Sequence, residues 1–225
     1  MDGARAAQQS VGMRTVGSWG IRLTMPQALL LGLYLRDAAG LHPPTSDLLP
    51  DLPRLQPAVT PLRSVGEGLS GADVAATQWA TWWAAAFPGG PEALTSVLPP
   101  LFPGLRGMTE LRGLAELAID DAVTWAAQAR AREARLARTR PLALFETNLV
   151  AEVERTLGRR IRPFSLEVVV LPLEGIASWD VAGHPVITED LRADRDAYLT
   201  WLRARLLGLR GAGQRRDAAP PALGE

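Results

Sequence analysis

Apolar residues recur along this chain mostly at helical spacing, in runs separated by clusters of Pro and Gly. Gln27 to Ala39 carries Leu29, Leu30, Leu33 and Leu35. Pro26 precedes it, suited to a first turn because its φ is fixed and its missing N–H is not needed there, and Gly40 follows as a C-terminal cap. The pattern predicts a helix apolar enough to be largely buried. A second helix begins at Ser70, with Asp73 three residues on as an acidic variant of the capping box, and runs to about Phe87, where Pro88, Gly89, Gly90 and Pro91 end it. A short helix is expected from about Pro91 to Leu98. The longest run starts near Thr109 and continues toward Thr139, where Pro141 stops it; at 1.5 Å per residue it would span about 45 Å. Leu142, Phe145, Leu149, Val153 and Leu157 define another helix closed by Gly158, and Asp190 to Gly208 a last one carrying Tyr198, Leu199, Trp201, Leu202 and Leu206.

Two stretches break the helical period. Phe164 to Leu173 is β-branched and bounded by Pro163 and Gly175, which predicts a strand; Val181 to Thr188 is its expected hairpin partner across a long loop, and Ile21 to Met25 is a further short strand. If Ile21 to Met25 joins the sheet, the N-terminal segment is pinned to the C-terminal half. From His42 to Gly68, six prolines alternate with Leu48, Leu49, Leu52, Leu55, Val59 and Leu62. Proline at this density forbids helix and ladder, and a solvated linker would not carry so many leucines, so residues 42–68 read as an extended strap packed across the surface, with a partner-binding strap as the functional version. The expected fold is α+β and predominantly helical, with a small antiparallel sheet of two or three strands. Residues 19–210 form one domain on this reading, between disordered tails at 1–18 and 211–225.

Composition removes many chemistries. All 24 basic side chains are Arg, so no Schiff-base or P-loop lysine exists; with no Cys there is no thiolate, iron–sulfur cluster or disulfide. Only His42 and His184 offer imidazole, and no metal site or cofactor is expected. Arg without Lys, beside abundant Ala, Gly and Pro, fits the codon bias of a GC-rich bacterial genome. Acidic and basic residues balance at zero net charge, which gives no overall field toward nucleic acid or an anionic membrane. No apolar run is long enough to span a bilayer and no secretory signal is recognisable, so a cytoplasmic location is expected.

Four constellations could carry function. Trp79, Trp83 and Phe87 share one helix face while Trp82 points about 100° away from Trp83. Trp79 and Trp83 suit a core, whereas an exposed Trp82 would be the kind of residue that anchors an interface, with Trp83 and Phe87 beside it. Asp121, with Asp120 before it, falls on the stripe marked by Leu114, Leu117, Ala118 and Trp125, where a buried carboxylate shifts its pKa or demands an Arg; the favoured bland reading is a structural ion pair or a stripe that turns outward at that level. His184 lies in a loop with Asp180, close to Glu189 and Asp190, and with Asp121 it is a candidate for acid–base or metal-assisted chemistry, though no catalytic motif surrounds it. Arg159, Arg160 and Arg162 are candidates for anion binding, since guanidinium forks suit phosphate and carboxylate; the bland alternative is favourable charge at helix C-termini. Without catalytic motifs, and with Trp-rich and Pro/Leu-rich segments to cover, the sequence points first to a non-enzymatic protein that binds another protein as subunit, adaptor or inhibitor, a homo-oligomer included. A carboxylate/imidazole enzyme and an Arg-based binder of phosphate or nucleic acid are the alternatives, nucleic acid being disfavoured by the zero net charge and the lack of aromatics among the arginines.

Overall fold

In the structure, a computed structural model, residues 19–46, 49–62, 71–86, 102–181 and 183–214 are described. Two buried helical layers sandwich a four-stranded sheet. The elements in chain order are β1 (Gly20–Thr24), α1 (Gln27–Ala38), α2 (Ala72–Ala86), α3 (Thr109–Thr139), α4 (Ala143–Leu157), β2 (Ser165–Leu171), β3 (Ser178–Val181), β4 (His184–Thr188), α5 (Glu189–Ala193) and α6 (Arg195–Gln214). The expected tail at 1–18, the helix at 91–98, Phe87, the strap beyond residue 62 and residues 215–225 lie outside the described residues.

β2 is the central strand. Leu166, Val168 and Val170 point into a core shared with α4 and α6, and Val169 and Leu171 into the core of α1, α2 and α3. A strand buried on both faces reads as an unbroken apolar run, which Val168 to Leu171 supplies. The sheet order is β1-β2-β4-β3, with β1 and β4 parallel to β2 and only β3 antiparallel. The expected two- or three-stranded antiparallel sheet is corrected on both counts. The reason lies in β3: its four residues, Ser178 to Val181, are too short and polar to register as a strand, yet they reverse the chain before β4. Because β3 makes the return stroke, β4 runs in the direction of β2 and forms its hairpin with β3, across a turn where Gly183 adopts a φ of 80°. β1 pairs with β2 from Gly20↔Ser165 to Thr24↔Val169, so the two ends of the chain share one sheet.

The Pro/Leu-rich stretch packs as a strap over the described part of its length. Leu49, Leu52 and Leu55 are buried, and Gln56 N–H donates to the Pro172 carbonyl just past β2 while Glu174 N–H donates to Arg54 O, each at 2.9 Å. Its other anchor is α1. Arg36, 5% exposed, donates from Nη1 to Leu52 O at 3.1 Å and from Nη2 to Pro53 O at 2.6 Å, and Asp37 accepts from Leu55 N–H at 2.6 Å.

Trp82 is 3% exposed and packs against Gly32 of α1, while Trp79 and Trp83 stack with ring centroids 5.0 Å apart. The expectation of an exposed Trp82 anchor with Trp83 beside it is corrected: the outward face of α2 is formed by Val74, Thr77, Thr81 and Ala85, and the buried arc is wide enough to take Trp82, against Gly32, as well as Trp79 and Trp83. The last expected helix is two. Asp194 interrupts it, and its Oδ1 accepts the N–H groups of Asp196 and Ala197 at 3.1 and 3.0 Å as the N-cap of α6.

Candidate functional site

β4 ends at Thr188, whose Oγ1 accepts the Leu191 N–H at 3.2 Å and so starts α5 directly at the C-terminal end of a parallel strand. Outside such strand ends, α/β sheets place their ligands. α5 delivers Arg192 against the C-terminal part of α3 and the N-terminal part of α4. The Arg192 side chain is 3% exposed, with Nε 2.7 Å from Glu133 Oε1 of α3. That distance makes an ion pair, but the N–H is not aimed at the oxygen: Arg192 Nε and Nη1 and Glu133 Oε2 have no hydrogen-bond partner among the described residues, and neither does Arg132 Nη2. Nearby, the buried Tyr198 hydroxyl of α6 donates to Glu146 Oε1 of α4 at 2.6 Å.

The carboxylates of this layer are pushed toward their neutral forms. Burial raises Glu133 against the opposing charge of Arg192, and burial raises Glu146 against its bond to Tyr198. Glu189 is lifted to about 7 by burial, with Arg132 opposing and Glu133 and Asp190 adding to the rise. The Tyr198 hydroxyl is raised by burial and by the charge of Glu146.

Arg192 also lines a cleft of about 430 Å³ between the α3–α4 connection and the α5–α6 break. Pro141, Leu142 and Phe145 supply an apolar wall; Arg140, Arg192 and Arg195 bring three guanidinium groups against the carboxylates of Asp194 and Asp196. Arg195 lies 5.0 Å over the Phe145 ring and 3.4 Å from Asp196, and Arg140 Nη1 reaches Ala193 O at 3.5 Å. Two other clefts differ in kind. One, between the end of α1 and the strap, is lined by Arg36 and Asp37, whose polar atoms already hold the strap backbone. The other, about 720 Å³ at the N-terminal ends of β2 and β4, is lined by Glu167, His184, Trp201 and Arg205, with Arg205 clamped by both oxygens of Asp180.

No protein-family model, curated protein or solved structure matches this chain. Among the described residues no three His, Asp or Glu side chains converge as a metal site, and no helix is long and apolar enough to cross a membrane. The candidates drawn from sequence do not meet. Asp121 and Asp120 are exposed on α3; Asp121 sits near Tyr34, whose hydroxyl is raised by burial and then by that charge, whereas His184 borders the cleft on α6 at the other layer of the sandwich. The bland reading of Asp121 holds: Leu114, Ala118 and Trp125 are buried as expected, but the stripe turns outward at Leu117, 68% exposed, and at Asp121, while small residues Ala115, Ala122, Ala126 and Ala129 complete the buried face. Arg159, Arg160 and Arg162 are exposed between α4 and β2. The residues that do converge, Glu133, Glu146, Glu189 and Arg192, were not singled out, although Glu133 continues the alanine stripe and Glu146 sits between Leu142 and Val150 on another, the same anomaly looked for at Asp121.

Proposed function

We propose that this protein binds a small organic carboxylate, an apolar body with one anionic head, in the cleft lined by Arg140, Phe145, Arg192 and Arg195. The single observation carrying this reading is the contrast between two buried arginines. Arg36 has Nε, Nη1 and Nη2 all hydrogen-bonded within the fold. Arg192 is equally buried and paired with Glu133 at 2.7 Å, but its Nε and Nη1 lack a well-aligned hydrogen bond among the described residues, and the residue borders an open cleft. A buried polar group left unsatisfied costs about 1–3 kcal/mol, and a ligand that satisfies it recovers that cost. Arg140, Arg192 and Arg195 stand against Asp194, Asp196 and the Glu133 partner of Arg192, a balanced set with no surplus to hold a dianionic phosphate, and a guanidinium fork suits a single carboxylate head. The volume lies within the ordinary range for small-molecule sites, and the Phe145 and Leu142 wall suits a hydrocarbon or aromatic body. Two charge-assisted hydrogen bonds and the apolar wall, set against the cost of immobilising a small ligand, place the expected Kd on the order of millimolar.

Benzoate serves as the probe and uncharged benzamide as its control. Calorimetric titration of the whole chain is expected to show saturable benzoate binding in that range and none with benzamide. Arg140→Gln, an exposed position, weakens it several-fold, and Arg192→Gln, with folding checked by near-UV circular dichroism, abolishes it. Equal responses to benzoate and benzamide, or no saturation below about 10 mM, would remove the carboxylate reading.

A further inference from the structure

Behind the cleft, the charged and titratable groups around Arg192 come from four helices. α3 contributes Glu133 and, with it, Arg132; α4 contributes Glu146; α5 contributes Glu189 and Asp190; α6 contributes the Tyr198 hydroxyl. Glu146 is occupied by Tyr198, at 2.6 Å. Glu133 is held less well, by one contact at 2.7 Å to Arg192 that is off the N–H axis, with its second oxygen unpartnered among the described residues. An incoming carboxylate therefore competes with Glu133 for the same guanidinium, and the loser is a buried carboxylate beside a second one, Glu189.

Resting on the carboxylate reading above, we infer that the site takes up its anion together with a proton: the ligand carboxylate takes Arg192 over from Glu133, and the Glu133–Glu189 pair accepts one proton from solvent in exchange. No covalent bond changes; one anion and one proton enter, and the charge of the buried layer is conserved. The direction follows from electrostatics. Satisfying Arg192 with the ligand removes its positive field from the pair, which already lies high because of burial, Glu189 at about 7. The pair's affinity for a proton rises, so binding draws a proton in and tightens as pH falls. Two coupled carboxylates share that proton, and the titration belongs to the pair.

The experiment is benzoate titration of the whole chain at about pH 6, 7 and 8, in buffers of low and high ionisation enthalpy; benzoate itself stays ionised throughout, as carboxyl groups titrate near pH 4. One proton per ligand allows at most tenfold in affinity per pH unit, and about tenfold tightening is expected from pH 8 to pH 6, with a buffer-dependent enthalpy at pH 7 that reports proton uptake. Glu189→Gln is expected to bind benzoate with the pH dependence flattened, and Glu133→Gln to bind it more tightly at pH 8. His42→Asn/His184→Asn should leave the uptake unchanged, since imidazole is the other side chain that exchanges protons in this range. Binding with one affinity at all three pH values and no buffer dependence overturns the coupling and leaves the carboxylate site standing. Uptake that persists in Glu189→Gln, or disappears with the two His substitutions, overturns it as well. No binding at any pH sinks the site reading instead.

Discussion

Gly32 marks the closest approach of α1 and α2. Its carbonyl accepts the Trp79 Nε1 proton at 2.6 Å, and a Cβ built there would overlap Cζ3 and Cη2 of the Trp82 ring. An alanine gains up to about 1 kcal/mol of helix propensity at such a position, but overpacking a rigid indole costs about 1–3 kcal/mol and occasionally more. The clash wins because Trp82 is a rigid ring buried, at 3% exposure, within a packed core. Gly32→Ala is therefore expected to lower stability by about 1–3 kcal/mol in urea unfolding, and Trp82→Leu in the same chain to recover part of that loss through a coupling of about 0.5–3 kcal/mol. Gly32→Ala as stable as the parent would show that the two helices can separate at no cost. The same scale separates the two buried arginines: Arg36 spends its guanidinium on carbonyls of the strap, whereas Arg192 is paired off-axis with Glu133 and lines a cleft.

At the scale of elements, the strap is tied down by two adjacent residues of α1, and Asp37 does more of the tying than its size implies. It accepts the Leu55 N–H at 2.6 Å and pairs with Arg36 at 2.6 Å, with the side chains of both residues under a tenth exposed. Removing one member of a buried pair leaves the other uncompensated, at about 3–5 kcal/mol. Asp37→Ala should loosen residues 49–62 before it unfolds the sheet, and the measurement is trypsin cleavage after Arg54, expected to accelerate at least tenfold over the parent under native conditions. An unchanged cleavage rate would mean that the leucines alone hold the strap. Where residue patterns are strong, the elements were legible from sequence: α1 between Pro26 and Gly40, α3 from Thr109 to Thr139, α4 closed by Gly158 at a φ of 62°, and β2 with its apolar run Val168 to Leu171. Three things were not legible. β3 is too short to leave a period-two signal, and missing it reversed the apparent direction of β4. The alanines that complete the buried face of α3 are nearly invisible beside the bulkier but exposed Leu117, so the stripe does not single out Glu133, four residues past Ala129. The α5–α6 break is set by one capping residue, Asp194, inside an otherwise helical run that masks it, and the cleft lies beside that break.

The whole molecule is two apolar cores on opposite faces of one sheet, with a charged layer where α3, α4, α5 and α6 meet beyond the end of β4. Acidic and basic side chains balance overall, so no long-range field dominates stability, and the pH response is set by the few groups whose surroundings in the fold differ most from water. Glu189 is the clearest, with a folded pKa of about 7 against an ordinary value near 4.5. A raised carboxylate means that the folded state holds its proton to higher pH than the unfolded one. Below about pH 4.5 both states are protonated and Glu189 costs nothing; between about pH 4.5 and 7 the unfolded state ionises first and stability falls; above about 7 the full penalty applies. Partial exposure screens the penalty to the order of 1 kcal/mol, worth about 2–4 °C in Tm for a chain of this size. Glu189→Gln keeps the shape and removes the charge. Its Tm is expected to exceed the parent's by about that amount at pH 8 and to converge with it at pH 5, as read by thermal denaturation at matched ionic strength. A variant that is less stable at pH 8, or a gap that is constant across the range, would mean that Arg132 and Arg192 already hold Glu189 ionised, and the charged layer would then be a settled ion-pair network with no proton left to exchange.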